Sequence, residues 1–199
     1  SKLSEQIGTR LGARSDGEAR SELQCSGNRL YLGYYLDGIK QEVWSFKDGV
    51  ESAIKRWSNK AVELAEYFPA VDVVVRALGH SELQVSGADK PLDKLALDLA
   101  NTLGASYKPE LIQKNRELVK STKISAAERL AQVRGAYSVS SANISAPEST
   151  KITFLIVDDV YTSGATTNEI SRAISETYPE ASIYIFTLVK TIFRTEAGK

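Results

Sequence analysis

The chain is poor in the residues that staple or metallate a fold. Its 199 residues hold one cysteine (Cys25), one histidine (His80) and no methionine. A single thiol cannot form an intramolecular disulfide and rules out a cysteine-built structural zinc site. Cys25 is expected to act as a small, half-buried hydrophobe. There is no excess charge of either sign: Lys+Arg and Asp+Glu number 25 each. A protein that lives on a nucleic-acid backbone carries a basic surplus or a dense basic stripe. Only modest basic clusters occur, so nucleic acid is not an expected partner. No apolar run approaches the roughly 20 residues of a membrane span, and no secretory leader is recognisable. A membrane is therefore not an expected partner, and a cytoplasmic location is the expectation. What is present is ordinary: 42% hydrophobic and 25% charged residues, the composition of a globular protein. The length suits one domain with a core and a small appendage.

Residues 1–28 are polar and weakly periodic and read as a loose arm or a short helix. RLYLGYYL and IKQEVWSF flank Asp37-Gly38, which predicts a β-hairpin. Val50, Ala53, Ile54, Trp57, Ala61, Leu64, Ala65 and Phe68 then recur at three- and four-residue steps. They predict an amphipathic helix that begins near Asp48 and is stopped by Pro69. Beyond Pro69 the rhythm changes. VDVVVRAL (71–78) is a β-branched run, as in a strand buried on both faces. Pro91 opens a predicted helix with apolar positions Leu92, Leu95, Ala96, Leu99, Ala100 and Leu103, closed by Gly104. LIQKN and GAYSV are further candidate strands, with a helical ISAAERLAQV between them. ITFLIV (152–157) is the strongest strand signal, followed by a helix through Ile170, Ala173, Ile174 and Thr177 and by the strand IYIFTLV. Strand alternating with helix predicts an α/β fold, a parallel sheet flanked by helices.

The chemistry gathers at FLIVDDVYTSGATT (154–167). Ligands of open α/β sheets bind beyond the carboxyl ends of the strands. Asp158 and Asp159 stand at that end of the best strand. The loop Tyr161-Thr162-Ser163-Gly164-Ala165-Thr166 then turns into a helix, whose N-terminus offers unpaired N–H donors and a partial positive charge. Gly164 lets backbone approach a phosphate, and Thr162, Ser163, Thr166 and Thr167 add hydroxyl donors without charge. The loop suits a phosphate monoester, whereas the acids repel one. A ligand that satisfies both carries phosphate at one end and hydroxyls nearby, as ribose 5-phosphate does. Hydrogen bonds to charged acceptors contribute about 1.5–3 kcal/mol each. Other uses of the same letters lack their partners. A response-regulator receiver would begin at this strand, which here lies near the end of the chain. A Walker B strand needs a G-x-x-x-x-G-K-[ST] loop, and a dinucleotide fold needs G-x-G-x-x-G; the sequence contains neither.

The strand, the acid pair and T-S-G-A-T resemble the binding signature of type I phosphoribosyltransferases. The resemblance spans about residues 70–190 and is nearest to the competence protein F (ComF) group, without that group's N-terminal four-cysteine zinc module. It implies an enzyme of nucleotide metabolism that binds 5-phosphoribosyl pyrophosphate (PRPP) and Mg²⁺. Asp158 and Asp159 would hold the ribose hydroxyls as catalytic residues, and Tyr161–Thr166 the 5-phosphate. A nitrogen nucleophile would attack the ribose C1 and pyrophosphate would leave. Mg²⁺ would be held mainly by substrate oxygens, with no dedicated protein site. Both acids can serve one ligand only if the strand ends at Asp158, because successive residues of a strand face opposite ways; that ending is predicted.

By the same resemblance, Arg76, Ala77, Leu78, Gly79 and His80 correspond to the pyrophosphate loop, although the proline-rich form usual in ComF proteins is missing. Lys114, Arg116 and Lys120, with Lys123, fall in a basic segment that would reach the leaving group. Residues 1–68 would be a hood-like appendage and 69–199 the phosphoribosyltransferase core, with Tyr31, Tyr34, Tyr35 and Trp44 placed to stack on an acceptor. The identity of the small nitrogen acceptor is open, and a homodimer is among the states the resemblance implies. The alternative function is a non-catalytic PRPP-binding or ComF-like DNA-uptake accessory protein.

Overall fold

A computed structural model describes residues 24–35, 37–119, 125–140, 144 and 151–191. The chain builds strands β1 (Gln24–Ser26) and β2 (Arg29–Tyr31), then helices α1 (Asp37–Lys47) and α2 (Glu51–Glu63). Next come β3 (Val73–Arg76), α3 (Pro91–Leu103), β4 (Ser106–Tyr107) and β5 (Ile112–Lys114). Then follow α4 (Ala126–Val133), β6 (Tyr137–Val139), β7 (Thr153–Tyr161), α5 (Ala165–Thr177) and β8 (Ser182–Lys190). The main sheet runs β1-β2-β8-β7-β3-β4. Five of its strands are parallel, and β1 pairs antiparallel to β2 at one edge. This is the expected α/β fold with a parallel sheet flanked by helices. No described helix is long and apolar enough to cross a membrane.

The centre of the sheet alternates with period two. Val74, Leu155 and Val157 join one apolar cluster with Leu95 and Leu99 of α3 and Val43 and Phe46 of α1. Val73, Val75, Phe154 and Ile156 join another with Ile170, Ala173 and Ile174 of α5. Both faces are covered, which is why 71–78 and 152–157 read as continuous apolar runs rather than alternating ones. The path after β3 leads to β4 on one side, while the path after β7 leads to β8 on the other. The carboxyl ends of β3 and β7 therefore flank a switch in winding direction, where α/β sheets form their ligand crevice.

Three expectations need correction. Asp37-Gly38 is not a hairpin turn but the start of α1. Ile39, Val43 and Phe46 recur at helical spacing and pack on the core, and that burial outweighs the turn signal. The hairpin of this region lies earlier, at Gly27-Asn28, where Gly27 has φ 66° and Ser26 pairs with Arg29. Second, LIQKN and GAYSV do not join the main sheet; β5 and β6 pair antiparallel in a two-stranded sheet of their own. Third, β7 does not end at Asp158 but pairs with β8 as far as Tyr161↔Lys190. Leu30, Val43, Phe46 and Ala61 share a cluster with Leu95, Leu155 and Phe186. Residues 1–23 lie outside the described residues. The helix opened by Pro91 is as expected and ends at Gly104 with φ 67°.

Candidate functional site

The loop after β7 enters α5 through Gly164, whose φ of 74° is left-handed. A Cβ at this position would fall 2.2 Å from the Tyr161 Oη. Glycine is required here twice over, by backbone sign and by the close approach of the tyrosine. The Arg29 guanidinium lies 5.1 Å from the Tyr161 ring centroid and backs the ring as a cation–π partner. The Thr167 hydroxyl donates to Gly164 O at 3.3 Å and the Ala165 N–H to Ser163 Oγ at 3.4 Å, so the first turn is formed. That turn contains no acidic residue, and its positive end is not neutralised by the helix itself. Before it lies a cavity of about 210 Å³ lined by Asp158, Val160, Tyr161–Thr167, Leu118, Val119, Gln132 and Val133. All six loop residues expected to hold a 5-phosphate border this one space.

The two acids diverge. Asp158 shares the side of Phe154 and Ile156 and lines the cavity at the loop. Asp159 shares the side of Leu155 and Val157, where Lys47 at the end of α1 meets its Oδ1 at 3.1 Å. Strand alternation is the reason. Desolvation first, and then repulsion by Asp159, raise the pKa of Asp158 well above the ordinary carboxylate range. The Asp159 N–H, which donates to Asp158 Oδ1 at 2.8 Å, and the more distant Lys47 only partly oppose this. A carboxyl perturbed by burial and a like charge, facing a cleft, marks a functional candidate.

Asp159 borders a second cavity, of about 240 Å³, lined also by Phe46, Lys47, Arg76, Ala77, Gly79, Glu82, Lys90, Pro91 and Leu92. Arg76 is almost fully buried, and its donors are engaged. It forks onto Glu82, with Nη1 to Oε2 at 3.0 Å and Nη2 to Oε1 at 2.9 Å. Its Nε donates to Asp93 Oδ1, and Nη1 also donates to Ala77 O at 3.0 Å. Burial lowers the pKa of such a guanidinium, but the bonds to Glu82 and Asp93 outweigh burial and raise it. Glu82 also accepts the Gly79 N–H at 2.5 Å and pairs with Lys90 Nζ at 2.6 Å. Burial pushes its carboxyl up, yet the bonds from Arg76, Lys90 and Gly79 hold it at about 2. Ala77 and Leu78 pack into the core, and His80 is exposed.

Family models and curated protein sequences give no match to this chain. Solved structures do. Adenine phosphoribosyltransferase from Leishmania tarentolae aligns over 85% of this chain and 94% of its own at 13% identity, with TM-score 0.49. The Trypanosoma brucei enzyme aligns over 89% and 91% at 10% identity, with TM-score 0.47. The Saccharomyces cerevisiae enzyme aligns over 71% and 70% at 16% identity, with TM-score 0.42. The chain is similar in structure to these proteins. At such identities residue roles do not transfer, and the functional reading stands on this chain's own loops and acids.

Of the basic residues expected to reach a leaving group, Lys114 and Arg116 are described and make contacts within the chain. Lys114 is buried and donates to Gly79 O at 2.6 Å and His80 O at 2.9 Å. Burial lowers its pKa, opposed by Glu82 and Glu117. Its place is beneath the 79–80 backbone, as a brace. Arg116 donates to Gln132 O at 3.2 Å and Arg134 O at 2.9 Å, at the end of α4. Lys120 and Lys123 lie outside the described residues. The aromatics expected to stack on an acceptor are absent from the described lining of both cavities; Trp44 donates to Tyr35 Oη at 2.8 Å and Tyr31 packs edge-on to Tyr34. Sequence reasoning did not single out Lys47, Lys90, Leu118, Val119, Gln132 and Val133, which line the two cavities. Helical spacing of Ile39, Val43 and Phe46 was the signal that could have placed Lys47 at a helix end. Among the described residues no group of three or more His, Cys, Asp or Glu could hold a metal ion.

Proposed function

We propose that the chain binds the ribose 5-phosphate unit of PRPP and transfers it to a small nitrogen acceptor, as a Mg²⁺-dependent phosphoribosyltransferase. The observation that carries this reading is the single cavity that joins the uncharged loop Tyr161–Thr166 at the start of α5 to the carboxyl of Asp158. N–H and hydroxyl donors at a helix N-terminus suit the phosphate. Asp158, costly to hold ionised with the Asp159 N–H as its hydrogen-bond donor, suits the hydroxyl donors that a ligand brings. As the nitrogen attacks C1 and the bond to pyrophosphate breaks, positive charge grows on the sugar, and the nearby carboxylate of Asp158 stabilises it. The donor set is hard oxygen without a three-carboxylate cage among the described residues; Mg²⁺ held mainly on substrate oxygens would fit beside Asp158 and would neutralise the leaving group, while Asp159 stays paired with Lys47 on the other face. On this reading the whole site, including the expected pyrophosphate contacts at Arg76–His80, serves PRPP.

One observation favours a second reading, a non-catalytic PRPP binder akin to the accessory role thought to belong to ComF-like proteins. The donors of Arg76 already meet Glu82, Asp93 and Ala77 O. Calorimetry with PRPP, with and without Mg²⁺, tests both readings on the wild type and on Asp158→Asn. Wild-type binding that weakens at least ten-fold in the variant supports the site, and no wild-type binding sinks it. Pyrophosphate release with a purine, pyrimidine or amine from a test panel supports transfer. Binding without release across the panel supports the second reading.

A further inference from the structure

The carboxylate of Glu82 sits where an oxyanion would. Its two oxygens take four donors: both Nη atoms of Arg76 at 3.0 and 2.9 Å, the Gly79 N–H at 2.5 Å and Lys90 Nζ at 2.6 Å. A guanidinium fork, a glycine N–H and an ammonium are the groups that recognise phosphoryl oxygens. A Cβ on Gly79 would lie 3.0 Å from Glu82 Oε2, so the glycine is what admits the anion to the backbone. The arrangement is also held from below. Lys114 fixes the Gly79 and His80 carbonyls, and Leu118 N donates to His80 O at 3.1 Å.

Charge neutrality does not require Glu82. Arg76 already has a buried counter-ion in Asp93, which accepts from Arg76 Nε and from the Tyr107 hydroxyl at 2.5 Å. Without Glu82 the guanidinium would keep that partner, and Lys90, half exposed at 50%, would return to water. Glu82 itself opens on the second cavity and stands between the exposed neighbours Ser81 and Leu83. It belongs to the turn closed by Glu82 N–H to Gly79 O at 3.0 Å, beyond the end of β3 at Arg76.

We infer that Arg76, Gly79 and Lys90 form an oxyanion site that the chain fills with its own Glu82, so that this side chain competes with a phosphoryl ligand for the same donors. Naming that ligand pyrophosphate rests on the PRPP reading; the competition itself does not. The site is ready-made but self-occupied, and a diphosphate enters only by displacing the carboxylate.

Titration calorimetry with inorganic pyrophosphate, inorganic phosphate and ribose 5-phosphate on wild type, Glu82→Gln and Glu82→Ala decides this. Glu82→Gln keeps the shape and removes the charge. Both variants are expected to bind pyrophosphate at least ten-fold more tightly than wild type, and Lys90→Ala in the Glu82→Gln background is expected to reverse much of the gain. Ribose 5-phosphate affinity is expected to stay within two-fold. Unchanged or weaker pyrophosphate affinity in the folded variants overturns the inference. So does failure of both variants to fold, which would make Glu82 a structural counter-ion. A gain for pyrophosphate with no ribose 5-phosphate binding in any protein leaves the inference standing and removes the transferase reading. Ribose 5-phosphate binding without any pyrophosphate gain does the reverse.

Discussion

Asp158 and Asp159 share a peptide bond, yet their carboxyls serve opposite faces of the sheet, one at the Tyr161–Thr167 cavity and the other against Lys47. The raised pKa of Asp158 has a consequence for stability. A carboxyl whose folded pKa exceeds its unfolded value stabilises the fold by binding its proton. That contribution is complete below the unfolded pKa and is lost as pH rises through the folded one. Asp158→Asn removes the titration. The variant is expected to be more stable than wild type at pH 8 by about 1 kcal/mol, or ~2–4 °C in Tm for a chain of this size. The advantage is expected to shrink toward pH 4. Thermal melts of both proteins across that range measure it; a difference independent of pH would show that Asp158 is not held near its neutral form.

Gly164→Ala tests the loop by a different route. The residue must keep φ 74°, and its new methyl must share space with the Tyr161 ring, which Arg29 backs from elsewhere. A left-handed non-glycine residue costs of order 1–3 kcal/mol before any clash. The expected outcome is a loss of that order in chemical denaturation, together with at least a ten-fold loss of ribose 5-phosphate affinity by calorimetry. Normal stability with normal affinity would show that the loop can re-form around the methyl and that its shape is not what holds a phosphate.

Much of the architecture was legible because burial wrote it into the sequence. Val73–Val75 and Phe154–Val157 are apolar on both sides since helices cover both faces, and Pro91 and Gly104 punctuate α3. The turn from β7 into α5 was legible because its geometry needs a glycine at position 164 and short hydroxyl side chains around it. What could not be read was which side chains answer one another across the fold. Arg76 reads as a free cation beside a glycine loop; only the tertiary structure brings Asp93, from 17 residues on, beneath it. Lys114 reads as part of a basic loop, yet β5 carries it under the 79–80 carbonyls, 35 and 34 residues away in sequence. The hairpin error has the same origin: Asp37-Gly38 is a strong local signal, and the burial of Val43 and Phe46 that overrides it is not local. The divergence of the two acids followed from pairing of β7 with β8 as far as Tyr161↔Lys190, an extent of pairing that local sequence does not report.

Arg76→Met is expected to be costly. It leaves the buried Asp93 and the nearly buried Glu82 without their guanidinium. Breaking a buried pair by removing one partner costs about 3–5 kcal/mol, which lowers Tm by on the order of 10 °C. The acid limb of stability should change too. Glu82 is held below its ordinary 4.5, at about 2, so its contribution is present above the unfolded pKa and is lost as pH falls toward 2. That acid-side loss is expected to be smaller in Arg76→Met. Denaturant titrations at pH 7 and pH 3 separate the two effects; equal destabilisation at both would mean that Arg76 acts by packing rather than by charge.

Val119 borders the Tyr161–Thr167 cavity with 71% of its surface exposed, so its substitution should act on the proposed ligand and not on the fold. Exposed changes of this kind stay within about 0.5 kcal/mol in stability. Val119→Asp places a negative charge on the rim facing the start of α5, where it opposes an anion. At low ionic strength ribose 5-phosphate is expected to bind roughly two- to five-fold more weakly, as like charges a few ångströms apart in water interact by about 1 kcal/mol. The deficit is expected to fall when salt shortens the Debye length to ~3 Å near 1 M. Val119→Asn, matched in size but uncharged, is expected to bind like wild type. Equal affinity of the Asp and Asn variants at low salt would mean that no phosphate lies near this rim, and the 5-phosphate would have to be sought elsewhere than at Tyr161–Thr166.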